Sequence, residues 1–258
     1  MASQHNTSTA ESDSHDPSIA IICALHMEVA PLIEKGRQIK ADSGNGLTFR
    51  GCVFDGVRVC IAEGGTGLKR AREATQAVID AFHPKWIISV GFSGALVDGL
   101  NVGDLVVANS VVDQNGEQPY QISSQMPADP ERGRHVGRLC TTDHIVHTVA
   151  EKRTLAASTN AIAVDMESWA VADVCSRHQT GFFAVRAISD DVHSDLPKEV
   201  LAILGPKGTI RAGALVGSLI KRPGSAKDLW AMRERAMTAA EHLGTFLTGV
   251  IQQLGESR

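Results

Sequence analysis

The stretch AIAVDMESWAVADVCSRHQTGFFAVRAISDD, Ala161 to Asp191, constrains this chain more than any other. Ala161–Val164 is a short apolar run of the buried-strand kind. Met166–His178 repeats apolar residues (Met166, Trp169, Ala170, Ala172, Val174) at three- and four-residue spacing, as a helix does. Phe182–Ile188 is a second apolar run, and Ser189, Asp190 and Asp191 follow it. Strand, helix and strand with short joints predict a parallel βαβ unit, whose sites lie at the carboxyl ends of the strands. Both ends are acidic here, Asp165 with Glu167 and Asp190 with Asp191. Side chains alternate along a strand, so Arg186, Ile188 and Asp190 share one face. An arginine inside an apolar strand is costly to bury without a partner.

The same grammar of short apolar runs and turns extends through the chain. Ile19–Leu25 reads as a buried strand and Met27–Lys35 as a helix with Pro31 in its first turn. Leu47–Phe54 and Val57–Ala62 flank Asp55-Gly56, a hairpin signal. Leu68–Phe82 is a helix closed by Pro84. Trp86–Val90, Asp104–Val112 and Leu139–Thr142 are further strands, and Val149–Ala157 a further helix. Gln114–Val136 is polar and proline-bearing, the least ordered internal stretch. Helices are expected at Pro197–Leu204, Ile210–Ile220 and Ala226–Gln253. Residues 1–18 carry Ser, Thr, His and Asp without an apolar core and read as a disordered tail, not a secretory signal. Residues 19–258 read as one α/β domain, with 196–258 a helical C-terminal extension. No internal repeat or composition break divides it.

Composition narrows the classes. A 43% hydrophobic and 21% charged chain of 258 residues can bury a full core. Net charge −4 speaks against nucleic-acid binding by bulk electrostatics. Five scattered cysteines, mostly in apolar runs and without a CxxC pair, fit reduced thiols in the cytoplasm. No apolar run approaches the ~20 residues of a membrane span. Gly205–Arg258 holds eight basic and four acidic residues, an excess of four, so the remainder carries −8. A basic amphipathic helix can touch an anionic membrane surface, but packing on the core with a solvated basic face is the favoured reading.

Four features bear on chemistry. Glycine-rich turns follow two strands, at Gly64–Gly67 and Gly91–Gly94, and exposed backbone N–H groups there can approach an anion. Neither fits a dinucleotide or Walker pattern. Asp165 and Glu167 stand at a helix start, where capping is the ordinary role of an acid. Asp190 and Asp191 repel each other, which can hold one protonated and fit to protonate a leaving group. His144 and His147 have helical metal spacing, but no third ligand accompanies them, so no metal is expected.

These residues resemble the nucleoside phosphorylase and nucleosidase superfamily, in particular its methylthioadenosine/S-adenosylhomocysteine nucleosidase branch, from about Ile19 to Val192. IICALHMEVAPL is similar to the branch's opening strand, GGTGLKRA to its glycine turn, and IISVGFSGALVDGLNVGDLVVA to its central strand and the strand after it. AVDMESWAVADVC with FFAVRAISDD resembles its VEMEA and VRAISD signature, the most specific of the four.

The resemblance implies a single α/β domain around a mixed, partly closed sheet, assembled as a homo-oligomer, dimer or hexamer. It implies cleavage of the N-glycosidic bond of a purine nucleoside or 5′-substituted adenosine, a small-molecule substrate. Asp190 would protonate the leaving base, with Ser189 holding its loop. Glu28 would position the attacking water and Arg186 would orient Glu28. Glu167 would accept hydrogen bonds from the ribose hydroxyls, with Met166 under the sugar. Thr66, Gly67, Phe92, Ser93, Gly94 and Val146 would be further substrate contacts. The chemistry needs such a set, because cleavage leaves positive charge on the sugar and negative charge on the base.

The chain departs from the family at three places. Ile145 stands where an aromatic residue usually stacks on the base. Gln114–Val136 is shorter than in the nucleosidases. Ala62-Glu63 replaces the phosphorylases' phosphate-binding arginine, leaving Lys69, Arg70 and Arg72 nearby. Water is therefore the favoured acceptor, with no cofactor. Phosphate as co-substrate through Arg70 or Arg72, and a nucleoside-binding protein without turnover, are the alternatives. The tail from Leu196 is similar to the hopanoid-associated phosphorylase subfamily, which implies a lipid-linked adenosine as a further alternative substrate.

Overall fold

The computed structural model describes residues 16–117, 119–122, 126–196 and 225–256, the first nine of the last stretch as backbone only. Residues 1–15 of the expected tail, the helices expected at Pro197–Leu204 and Ile210–Ile220, and the basic stretch as far as residue 224 lie outside the described residues.

Ten strands form one mixed sheet. β1 (Ile19–Cys23) is buried at every position, because β4 and β5 flank it in parallel and helices cover both faces. From it the sheet runs outward through β4 (Val57–Glu63), β3 (Leu47–Phe54) and β2 (Arg37–Gly44). On its other side stands β5 (Trp86–Ala95), and here the sheet closes. β5 pairs with β9 (Ala163–Asp165), β9 with β8 (Arg134–Thr141), β8 with β6 (Leu105–Asp113), β6 with β10 (Gly181–Asp190), and β10 again with β5. A short β7 (Tyr120–Gln121) hangs on β6. The mixed, partly closed sheet is as expected: a five-strand ring with a four-strand wing.

Three local expectations change. β9 and β10 are not a parallel βαβ pair. Each pairs with β5, β9 antiparallel at Gly94 and Ala95 and β10 parallel along its length. A three-residue β9 is too short to run beside β10; it closes the ring instead. Gly91–Gly94 is strand, not turn, and lies within β5. β2 was missed because its sequence, RQIKADSG, is exposed throughout, as suits an edge strand. Its signal was Asn45-Gly46, with both residues at positive φ in the tight turn to β3. The hairpin at Asp55-Gly56 has the same geometry.

The helices fall on two faces. α2 (Leu68–Phe82) and α4 (Ser168–Arg177) share a core that includes Ala74, Val78, Val171 and Val174. α1 (His26–Lys35) and the long α5 (Ser225–Glu256) cover the opposite face. Ala239, Leu243, Leu247 and Val250 recur at three- to four-residue spacing and bury that stripe of α5. Pro31 sits in the interior of α1 rather than in its first turn. Gly244 faces it, and a β-carbon there would come 2.9 Å from the Leu32 nitrogen, so α5 can lie directly against the α1 backbone. α3 (Val149–Thr159) starts at Thr148, whose hydroxyl caps the Glu151 N–H, and carries Lys152 on the inward side.

All five cysteines are free and buried, and burial pushes the thiols of Cys60, Cys140 and Cys175 up to about 12. They are packing residues without thiolate reactivity.

Candidate active site

β5 brings the two acidic strand ends together. Its Gly94 is paired with Val164 of β9 on one side and with Asp190 of β10 on the other. A cavity of about 410 Å³ opens there, a volume suited to a small molecule. Ala24, Leu25, Met27, Ile145, Val146, Val164 and Leu196 give it apolar walls, and Glu28, Asp165, Glu167 and Asp190 converge on it.

Glu28 comes from the first turn of α1. Its Oε2 accepts from the Ala24 and Leu25 N–H groups at 2.9 and 2.8 Å, and its Oε1 from the Phe92 N–H at 3.1 Å. Burial raises its pKa above the ordinary carboxylate value, while these backbone donors and the charge of Arg186 hold it down. Gly91 makes room for this carboxylate. A β-carbon there would stand 2.8 Å from Glu28 Oε1, and Gly91 has a φ of 156°. Gly94 does the same for Asp190, whose Oδ2 would be 3.0 Å from an added β-carbon. The glycines of GFSG thus clear space for carboxylates within a strand; they do not cradle an anion.

Arg186 is fully buried, as its place in an apolar strand requires, and it has its partner. Nε and a terminal nitrogen both reach Asp165 Oδ2 at 2.7 Å, and the terminal nitrogen also donates to Ser89 Oγ at 2.9 Å. It was expected to orient Glu28; its hydrogen bonds go to Asp165, Ser89 and the Val185 carbonyl, and it reaches Glu28 through its charge. Asp165 Oδ1 accepts from the Thr141 hydroxyl and Oδ2 from the Ser168 N–H, so Asp165 caps α4.

Glu167 is the half-free acid of this group. Its Oε1 accepts from the Gly67 N–H at 2.8 Å, and its Oε2 lies 4.0 Å from Arg186. Burial, and next the charge of Asp165, push its carboxyl up to about 7. Three carboxylates, Glu28, Asp165 and Glu167, thus share one arginine.

Asp190 closes the opposite wall. Ser189 donates to its Oδ1 at 2.8 Å, and the ammonium of Lys152 reaches its Oδ2 at 2.6 Å. Burial raises the Asp190 pKa, and Lys152 is the main opposing influence. Thr66, Phe92, Ser93, Gly94, Val146, Met166 and Ser189 line the cavity with the acids. Arg186 and Gly67 do not; they stand behind Asp165 and Glu167. Ser93 Oγ is buried without a hydrogen-bond partner among the described residues. Ile145, which stands where the family usually has an aromatic residue, lines the cavity wall.

Lys152 escaped the sequence reading. Its signal was faint: Lys152, Leu155, Ala156 and Thr159 share one helical face, so a single charge stands on the packed stripe of α3. His144 and His147 both lie against Glu151. The two ring nitrogens of His144 meet Asp143 and Glu151 at 2.9 and 2.8 Å.

A mixed sheet closed into a ring, with carboxylates at the ends of β9 and β10 around one apolar cavity, defines the nucleoside phosphorylase-like class of α/β fold. The chain belongs to the Phosphorylase superfamily, whose family model matches residues 18–221. It is 26% identical over 227 residues to the 5′-methylthioadenosine/S-adenosylhomocysteine nucleosidase of Shewanella loihica, covering 79% of this chain and 98% of that one. The nucleosidase of the same name from Staphylococcus haemolyticus is 28% identical over 226 residues, covering 79% and 99%. Among solved structures, the Neisseria meningitidis nucleosidase in complex with methylthio-immucillin-A superimposes with a TM-score of 0.66 at 23% identity, over 91% of this chain and 98% of that one. The native futalosine hydrolase of Helicobacter pylori gives 0.63 at 20% identity, over 90% and 97%.

Proposed function

We propose that this protein hydrolyses the N-glycosidic bond of a 5′-substituted adenosine or related purine nucleoside and releases the base. The observation that carries the reading is the placement of Glu28 and Glu167 across one apolar cavity from Asp190. In this reading Glu167 accepts from the ribose hydroxyls, with Met166 beneath the sugar. As the bond from the anomeric carbon to the base breaks, its electron pair passes to the base. Asp190 gives its proton to a base nitrogen. Water adds to the anomeric carbon and its proton passes to Glu28. The raised pKa values of Glu28 and Asp190 suit one to hold the water's proton and the other to bring one. The excess of carboxylate around Arg186 opposes the positive charge that develops on the sugar. Arg186 is a positioning residue here, acting through Asp165 and by its field on Glu28.

Water is the acceptor we favour over phosphate. Glu63 stands where the superfamily's phosphorylases were expected to carry an arginine, and it binds the neighbouring Arg50 Nε at 2.6 Å and His26 Nδ1 at 2.9 Å. The other candidates are engaged as well. Arg70 reaches Glu73 and the Asn45 carbonyl; Arg72 reaches Asp173 and lies over the Trp169 ring. The setting we propose is the cytoplasm, on five reduced and buried thiols, and a homo-oligomer, on the resemblance to the nucleosidases. Among the described residues no helix is long and apolar enough to cross a membrane.

The test is a panel of methylthioadenosine, adenosine, inosine and a 5′-alkyl adenosine, each with and without phosphate. Free base released at the same rate in both series, with free sugar as co-product, is the expected result. Sugar phosphate as product would replace water by phosphate, and no release from any member would leave a binding protein.

A further inference from the structure

Lys152 is a charged side chain that the reaction described above does not use. It is fully buried, with 0% exposure, and an ammonium in that position is expensive unless its donors are satisfied. All three have acceptors: Asp190 Oδ2 at 2.6 Å, the Asp191 carbonyl, and the Ser194 carbonyl at 3.5 Å. Two of the three are backbone atoms of the loop that follows β10, so the lysine ties that loop to α3. The third is an oxygen of the carboxyl that faces the leaving base.

Among the described residues Lys152 is the one cation paired with the Asp190 carboxyl, while Arg235 and His144 line the same cavity. Ser189 offers a hydroxyl to Oδ1, and that hydroxyl has an alternative acceptor in the Ser93 carbonyl at 3.2 Å. Gly94 of β5 brings only backbone. Asp191 adds a second negative charge. Asp195, farther along the same loop, accepts from the Val149 N–H at the start of α3. On α3 the neighbouring charges turn elsewhere, Glu151 to His144 and His147, and Arg153 to Asp98.

We propose that Lys152 is a positioning residue that sets the acid strength of Asp190 and so the pH range over which the base can leave. The inference rests on the nucleosidase reading. Before bond cleavage Asp190 carries a proton taken from solvent. During cleavage the electron pair of the breaking bond goes to the base, the Asp190 proton follows it to a base nitrogen, and a carboxylate remains against the ammonium. Lys152 stabilises that carboxylate, so it makes Asp190 a stronger acid. It also makes the protonated form harder to populate as pH rises. These two consequences have opposite signs, and a lysine that merely packs would produce neither the second nor the coupling between them.

The experiment follows free adenine released from methylthioadenosine by the full chain, as kcat and kcat/KM across acid to alkaline pH. Lys152→Met should lower kcat at the optimum by about tenfold or more, with a small change in KM, and move the alkaline limb to higher pH. Lys152→Arg should keep the limb near its original position. A folded Lys152→Met enzyme whose limb stays in place would overturn the proposal. Should that variant fail to fold, the pair Asp190→Asn and Lys152→Met/Asp190→Asn decides, since the double variant leaves no unpaired charge. Equal residual cleavage in the two is expected, because a lysine acting through Asp190 has nothing left to act on. A further loss in the double variant would make Lys152 a structural residue only. Wild-type protein that releases no base from any nucleoside would overturn the nucleosidase reading and the role of Lys152 with it; release with an unmoved limb would overturn the second alone.

Discussion

The two ends of the cavity are built on opposite electrostatic plans. At the Glu28 end three carboxylates stand around one buried arginine, an uncompensated excess of negative charge. At the Asp190 end the acid that faces the cavity is paired directly with a buried lysine, with Asp191 beside it. The first arrangement favours a ligand that becomes positive. The second favours a proton leaving and a carboxylate staying. A glycosidic bond that breaks toward a cationic sugar and an anionic base would meet each plan at the matching end. Both plans are assembled on β5, whose Gly91 and Gly94 leave room for one carboxylate each. The difference shows that the site is polarised by its counter-charges as much as by the acids themselves.

Neutralising one acid at each end gives the sharpest test of that contrast and the largest effect. Glu28→Gln keeps the hydrogen-bonding shape but cannot take a proton from water, and Asp190→Asn cannot give one to the base. Each should cost ~10²–10⁴-fold in kcat, with binding of a substrate analogue largely retained. The two should then differ in substrate dependence. A nucleoside whose base leaves easily without protonation should recover activity in Asp190→Asn and not in Glu28→Gln. Equal recovery in both would erase the distinction between the ends.

The sequence made one of these ends more legible than the other. Asp165, Glu167 and Asp190 announce themselves by standing at the ends of apolar runs, and Arg186 by its need for a partner inside one. Strand and helix existence was equally readable wherever a run or a face is buried, as along β1 and β5 and on one face of α2. What failed was long-range pairing. Nothing local says that β9 and β10 both pair with β5, so the parallel βαβ reading was reasonable and wrong. Nothing local says that Arg186 meets Asp165, twenty-one residues earlier, rather than Glu28. The GFSG run was misread because glycine serves equally for a turn and for a close approach in a strand. β2 failed for the opposite reason, since an exposed edge has no apolar pattern to show.

The second prediction separates structural from functional acids at the Glu28 end. Asp165 holds Arg186, Thr141 and the start of α4, all in fully buried positions. Asp165→Asn takes from the buried guanidinium the one carboxylate it is hydrogen-bonded to, which should lower unfolding stability by about 3 kcal/mol. The protein that remains folded should cleave with a KM close to wild type. A variant of unchanged stability and lost sugar recognition would exchange the roles of Asp165 and Glu167.

The smallest effect is a pH dependence of stability centred on Glu167. Its carboxyl is pushed up from an ordinary 4.5 to about 7, by burial first and by the charge of Asp165 next. Between those values the folded chain holds a proton that the unfolded chain has already released. Stability therefore falls as pH rises from about 4.5 through about 7 and is level again above it. The free energy at stake is about 1–2 kcal/mol, less than the full shift implies, because Glu167 keeps some exposure and titrates against its neighbours. Glu167→Gln removes the titration but preserves an oxygen to accept the Gly67 N–H, so the turn before α2 stays anchored. Melting curves across this range should show wild type losing stability relative to the variant as pH rises, with the two closest on the acid side. If the Glu167→Gln and wild-type curves run parallel instead, Glu167 is an ordinary ionised carboxylate and the excess of negative charge at that end is larger than the structure indicates.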